Sequence, residues 1–316
     1  MALPDWFHEL AAEVRNWGRW GSDDEIGTIN LIDTEARRRG AASVRSGRAF
    51  SLALPLHADG IQTGYVLGRV NPIHTMVVIN DAPSGDASEY CNSDDHIEMS
   101  VQAGTHWDGL GHVSYNGMIY NGFPAASITA EGGATKCGIE KITSMTSRGV
   151  LLDIARLKGV DHLEGSHALT ADDLDAACEM ARVKVEPGDI ILLRTGKMGP
   201  TLGQNPPDKF GYMYPTSGPS SKSVKWFREH DVAAVATDTL AFEVYPCDHP
   251  EGQPPVNLPV HLLHLVDMGM TQGQNFVLDA LAADCAEDGQ YTFLLEASPQ
   301  PILGGTGSMV NPVAVK

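Results

Sequence analysis

Short apolar runs at 49–54, 75–79, 97–101, 149–154, 190–193, 233–236 and 291–295 predict β-strands. Between the later runs the period changes to that of a helix. Leu174, Ala177, Cys178 and Ala181 fall at i, i+3, i+4 and i+7, with Thr170 placed to cap and Pro187-Gly188 beyond the end. The same reading gives helices over 220–230 and 276–286, the second closed by Gly289. The first half thus reads as strands set in long loops, and the second as strand–helix alternation. One mixed α/β domain follows, with outer helices around a central sheet. The Pro- and Gly-rich stretch 199–219 reads as a long loop and not a linker, because composition does not change across it.

Composition narrows the functional classes. The 316 residues can bury a sizeable core, and 42% hydrophobic with 20% charged residues is ordinary for a globular protein. A net charge of −18 excludes a general nucleic-acid binder, since no basic stripe is available to neutralise phosphates. No apolar run approaches the roughly 20 residues of a membrane span. No basic stretch followed by an apolar one opens the chain, so a soluble cytoplasmic protein is expected. Cys91, Cys137, Cys178, Cys247 and Cys285 form no C-x-x-C pair and are expected as reduced, packed thiols. Any metal must therefore be held by His and carboxylates. Neither a phosphate-binding glycine loop nor a G-x-S-x-G elbow occurs in its required context.

The densest polar segment follows 97–101 and runs from Gln102 through Thr105, His106, Trp107 and Asp108 to Leu110 and His112. Side chains alternate in extended chain, so Gln102, His106 and Asp108 (offsets 0, +4 and +6) are expected on one face, with Gly104 free to bend between them. An amide oxygen, an imidazole and a carboxylate make a mixed site for Zn²⁺, Mn²⁺ or Fe²⁺. The same residues at a strand end also suit loop hydrogen bonds or an Asx-turn, and spacing alone leaves both readings open. His112 lies past two glycines and suits a general base, its free pKa being about 6.5. Trp107 must face the other way, into packing. Tyr115, Tyr120 and Phe123 suit either an aromatic wall for a flat substrate or plain packing. His249, in a proline-rich loop after Glu243 and Asp248, is read as solvated or loop-bonding, and His264 as a helix histidine sharing a face with His261.

The segment around His106 resembles the H-x-G-T-H-x-D-x-P-x-H signature of the cyclase-like metal-dependent hydrolase family. The resemblance extends along the chain. Trp20 through Asn30 is similar to the opening of the family's longer members. Arg194-Thr195-Gly196 resembles its strand-end R-T-G, and Asp238 its later strand-end aspartate. His261, Gly269 and Gln274-Asn275 parallel its C-terminal metal-binding region, and Gly304 through Pro312 its closing segment.

This resemblance implies a β/β/α layered (swivelling) fold over 1–316, a single domain with an N-terminal extension of about 1–48. It implies a hydrolase in which a divalent metal activates water against an amide, lactam or lactone carbonyl of a small molecule. Carried over by position, His106 and Asp108 are metal ligands, His112 is the acid/base and His261 a second catalytic histidine near the metal. Three positions depart: Gln102 replaces the first signature histidine, Leu110 its proline, and Gln274 the bridging glutamate of two-metal members. A neutral amide removes charge that would hold a second dication. One ion, Mn²⁺ or Zn²⁺, is therefore expected, held by His106, Asp108, Gln102 and Gln274. Thr105 and Asp238 are expected to contact the substrate or the ligands. The family also implies a homo-oligomer, a dimer or tetramer; charge and hydropathy leave no nucleic-acid or membrane partner expected. The two glutamines motivate the alternative of a catalytically degenerate small-molecule-binding member; His112, an acid/base that a binder does not need, favours the enzyme.

Overall fold

The computed structural model describes residues 3–316. A nine-stranded mixed sheet organises them, in the order Ala49–Ser51, Val313–Val315, Thr292–Glu296, Thr146–Asp153, Ile190–Arg194, Ala234–Thr237, Thr271–Gln274, His106–Asp108 and Gly307–Met309. The four strands from Thr146–Asp153 to Thr271–Gln274 run parallel. Antiparallel strands flank them on both sides. Parallel neighbours need crossovers, and the helices Ala171–Ala181 and Val224–Glu229 lie on two of these. The third crossover carries Pro259–His261 and the π-helical stretch Leu262–Met268.

The two-residue period of the central strands divides the core. Leu151, Ile190 and Leu192 enter one apolar layer, which also holds Trp107, Phe276 and Phe293. Val150, Leu152, Ile191 and Leu193 enter the other, with Leu174, Phe227 and Val235. Both faces are covered, so these strands read as unbroken apolar runs. The N-terminal segment packs on this body: Phe7, Ala11 and Val14 of the helix Asp5–Val14 are buried. Thr28 Oγ1 donates to Ala233 O at 2.7 Å. The first two residues of the expected extension lie outside the described residues.

The mixed α/β architecture is as the sequence predicts, with several boundaries moved for identifiable reasons. Thr170 does cap the helix Ala171–Ala181, in a reciprocal capping box with Asp173, and Gly289 closes Asp279–Asp288 at φ 71°. The helix expected over 220–230 begins only at Val224, because Ser220 Oγ bonds Leu169 O and Ser221 bonds Asp248. The one expected from 276 begins at Asp279, because the amides of Phe276 and Val277 bond Thr237 O and Leu52 O. The strand expected at 97–101 is instead Asn92–Glu98, paired with Ile73–Asp81 in a largely exposed hairpin outside the main sheet. The stretch 199–219 is not one loop: it carries the short helices Met198–Leu202 and Lys209–Met213 and the strand Gly218–Pro219. All five cysteines are free thiols.

Close approach at Gly273 fixes the junction that carries the polar cluster. A Cβ there would stand 2.7 Å from Ala236 Cβ and 2.8 Å from the Trp107 ring. Gly273→Ala should therefore cost about 1–3 kcal/mol by overpacking, read as a lower denaturant midpoint at unchanged slope. An unchanged midpoint would mean that the strand yields without cost.

Candidate functional site

The register of three strands builds the site. Gln272, Gly273 and Gln274 stand opposite Asp108, Trp107 and His106, while Gly307, Ser308 and Met309 stand opposite the same three from the other side. Directly opposed residues share a face. His106, Asp108, Gln272 and Gln274 therefore converge on one side, and Trp107 goes to the core side, where its Nε1 donates to Ala297 O at 2.8 Å. Gln102 arrives differently from the expectation. The chain turns between Ser100 and Ala103, so Gln102 is not in an extended continuation with His106. Its Nε2 instead fills space beside Gly307, 2.7 Å from where a Cβ of that residue would sit.

Two fully buried ligand-type atoms face each other here. His106 Nδ1 lies 2.8 Å from Gly104 O. A carbonyl only accepts, so Nδ1 carries the hydrogen, and in the neutral ring Nε2 presents a lone pair. That Nε2 has no hydrogen-bond partner, nor does Asp108 Oδ1, and the two stand 3.5 Å apart. Buried acceptors without donors are costly. Tetrahedral ligands at about 2.0–2.1 Å from zinc are themselves about 3.4 Å apart, so the pair fits a cation between them. Among the described residues no group of three or more His, Cys, Asp or Glu side chains is arranged to hold an ion as it stands. The remaining neighbours are amides and histidines. Gln274 Nε2 donates to Asp108 Oδ2 at 2.6 Å and lies 3.5 Å from His261 Nε2. His112 Nε2 is 3.7 Å from Asp108 Oδ1, and His261 Nε2 is 3.9 Å from Oδ2.

Electrostatics follow from this crowding. Burial alone would raise the Asp108 pKa, but the neighbouring imidazoles, His112 foremost, hold it far below the usual carboxylate range. For His112 the Asp108 charge pulls upward, and burial together with the neighbouring His261 and the Arg69 guanidinium outweighs it, leaving a lowered pKa.

Glu243 was read as part of a loop and proves to be fully buried. It accepts from the amides of Val260 and His261 at 3.0 and 2.9 Å, and from His261 Nδ1 at 2.5 Å. This carboxylate fixes the ring so that Nε2 faces Asp108 and Gln274. Its signal in the sequence is an acid between Phe242 and Val244, both buried. Gln272 was also overlooked. Its amide is fully buried with neither polar atom partnered, and the Gln-x-Gln alternation with Gln274 could have flagged it. His264 is not a satisfied helix histidine: both ring nitrogens are unpartnered between Phe227 and Phe242, and burial pushes its pKa down to about 3. His249 is exposed, while Asp248 bonds Ser221.

A cavity of about 880 Å³ opens over His112, His261 and Gln274. The aromatic wall is not the one expected. Tyr115 bonds Asp267 and Arg15, Tyr120 is fully buried with its hydroxyl on Asp24, and Phe123 packs under Lys136. Tyr65, Phe210, Tyr214 and Tyr245 line the cavity instead. Thr105 and Asp238 are likewise used within the fold. Thr105 Oγ1 donates to Asn275 O and accepts from Leu54 N. Asp238 accepts from Thr195 N and Oγ1 and from Gly196 N, and burial pushes its pKa up to about 6.

A mixed α/β protein with a buried His–Asp–Gln cluster beneath an aromatic cavity is the class this geometry defines. Residues 11–244 match the family described as "Putative cyclase", and the chain belongs to that family. A crystal structure of a novel cyclase is 38% identical, with a TM-score of 0.87 over 97% of this chain and 99% of its own. Isatin hydrolase A from Labrenzia aggregata, bound to benzyl benzoate, has 18% identity and a TM-score of 0.58 over 87% of this chain and 94% of its own. An isatin hydrolase bound to the product analogue thioisatinate has 15% identity and a TM-score of 0.59 over 90% and 98%. These two likenesses are of fold. No curated protein matches the sequence. Among the described residues no helix is long and apolar enough to cross a membrane.

Proposed function

We propose that the protein is a metal-dependent hydrolase that opens an amide, lactam or lactone carbonyl in a small molecule. The observation that carries the reading is the facing pair of partnerless buried acceptors, His106 Nε2 and Asp108 Oδ1, 3.5 Å apart. His106 and Asp108 would hold one divalent ion, Mn²⁺ or Zn²⁺, with the amides of Gln274 and Gln102 beside them. When bound, that ion supplies Lewis acidity to a water and to the carbonyl.

The chain's own residues supply the rest. Gln274 tethers Asp108 through its amide, and Glu243 holds His261 by Nδ1. His112, on the cavity wall, receives a proton from the attacking water and passes it to the leaving nitrogen or oxygen. The aromatic rings of Tyr65, Phe210, Tyr214 and Tyr245 line the cavity in which the carbonyl would sit. Assembly as a dimer or tetramer, and the absence of nucleic-acid or membrane partners, belong to the same proposal.

The test is metal content of gently purified protein, followed by melting with and without EDTA and assays on formamides, lactams and lactones. About one Mn or Zn per chain, a midpoint that falls on chelation and recovers on adding the ion, and hydrolysis of one of these classes are expected. A chain that neither retains nor takes up either ion is a binding protein and not this enzyme.

A further inference from the structure

Arg69 is the one permanently charged side chain lining the cavity among the described residues, and no Asp or Glu lines it with it. It is delivered by a closed loop. Asn71 Oδ1 accepts from Gln62 N, and Asn71 Nδ2 donates to Gln62 O, both at 2.9 Å, clamping the loop 62–71 at its ends. Ser100 Oγ accepts from Val70 N at 2.9 Å and donates to Gly68 O at 3.2 Å, pinning the backbone on both sides of Arg69. Tyr65 and Val66 face the cavity from the same loop, while Leu67 is 98% exposed.

The guanidinium has no hydrogen-bonded carboxylate among the described residues. Burial lowers its pKa, and the more distant Asp108 charge pulls the other way without a hydrogen bond. A partly desolvated cation without a hydrogen-bonded counter-ion is costly unless a ligand supplies one. A carboxylate suits its planar fork, which can donate two parallel hydrogen bonds. The chain's net charge of −18 repels anions from a distance, so a local cation at the cavity is the feature that would let one bind. Around it stand aromatic rings, Tyr214 and Tyr245 edge to face at 5.8 Å, together with Tyr65 and Phe210.

We propose that this cavity takes an aromatic or otherwise flat small molecule carrying a carboxylate, with Arg69 binding the carboxylate and the Tyr65, Tyr214 and Tyr245 rings packing on the frame. Calling that molecule a substrate rests on the hydrolase reading; the anion seat itself does not.

The test compares 2-naphthoate with 2-naphthamide, equal in shape and different in charge, by isothermal titration on the protein as purified. The wild type should bind the naphthoate about tenfold or more tightly than the amide. Arg69→Met should erase that preference at an unchanged melting temperature, and Arg69→Lys, which keeps charge without the fork, should retain part of it. No preference in the wild type, or a preference that survives in Arg69→Met, overturns the proposal. If Arg69→Met melts early, a preference in Arg69→Lys equal to that of the wild type overturns it by showing that the fork is dispensable. Metal content and hydrolysis, measured on the same samples, are independent: their loss with the naphthoate preference intact sinks the hydrolase reading and leaves the anion seat standing.

Discussion

His106→Ala should abolish ion retention and hydrolysis together. Its Nδ1 is committed to Gly104 O, and its Nε2 is a fully buried lone pair 3.5 Å from the equally partnerless Asp108 Oδ1. Alanine removes one of the two partnerless acceptors and leaves Asp108 with only the neighbouring amide and the more distant His112 and His261. Retained Mn or Zn should fall from about one per chain to near zero, and kcat/KM by roughly 10³-fold or more, about 4 kcal/mol of transition-state stabilisation. Metal analysis and steady-state kinetics on one preparation check both halves. Full activity in this variant would remove the basis of the mechanism. Lost activity with metal retained would make His106 a catalytic group and not a ligand.

His112→Gln should separate chemistry from metal binding. His112 stands at the cavity wall, 3.7 Å from Asp108 Oδ1, and is partly accessible where His106 is sealed. Glutamine keeps a polar side chain of similar reach but cannot exchange a proton near neutral pH. The expected result is a kcat lower by about 10²–10⁴-fold, the usual contribution of general acid–base catalysis, with KM and metal content nearly unchanged. The loss should shrink for an activated aryl ester, whose leaving group departs without protonation. An equal loss across leaving groups, together with lost metal, would recast His112 as a ligand.

Several elements of the site were legible locally. The alternation of His106, Trp107 and Asp108 assigns two residues to one face and the tryptophan to the other, and the structure has them so. The strand–helix alternation of the second half pointed to a central sheet with outer helices, because Thr146–Asp153, Ile190–Arg194 and Ala234–Thr237 carry apolar runs and the helix Ala171–Ala181 carries its cap. The parallel order of these strands, and the fourth of them, Thr271–Gln274, are decided by the structure. Other elements misled. Extending a strand from 97 through 108 ignored the turn at Ser100–Ala103, which ends one sheet before the next begins. The aromatic residues after His112 looked available to a substrate, yet the carboxylates that engage the Tyr115 and Tyr120 hydroxyls, Asp267 and Asp24, lie far off in sequence.

The sequence by itself determined which faces His106, Trp107 and Asp108 present and where the capped helix Ala171–Ala181 begins, because the two-residue and 3.6-residue periods and the capping groups act over a few positions. It also supplied the polar residues of the cluster, a histidine and a carboxylate two apart and an amide at Gln274 further on. Only the tertiary structure decided what stands opposite. Gln272 and Gln274 meet Asp108 and His106 from across more than 160 residues, Glu243 reaches His261 across 18, and Arg69 enters from a loop clamped by Asn71 and Ser100. Those meetings depend on strand register and on two apolar layers closing over a single sheet. Both are set by the packing of the whole chain, to which no local period has access.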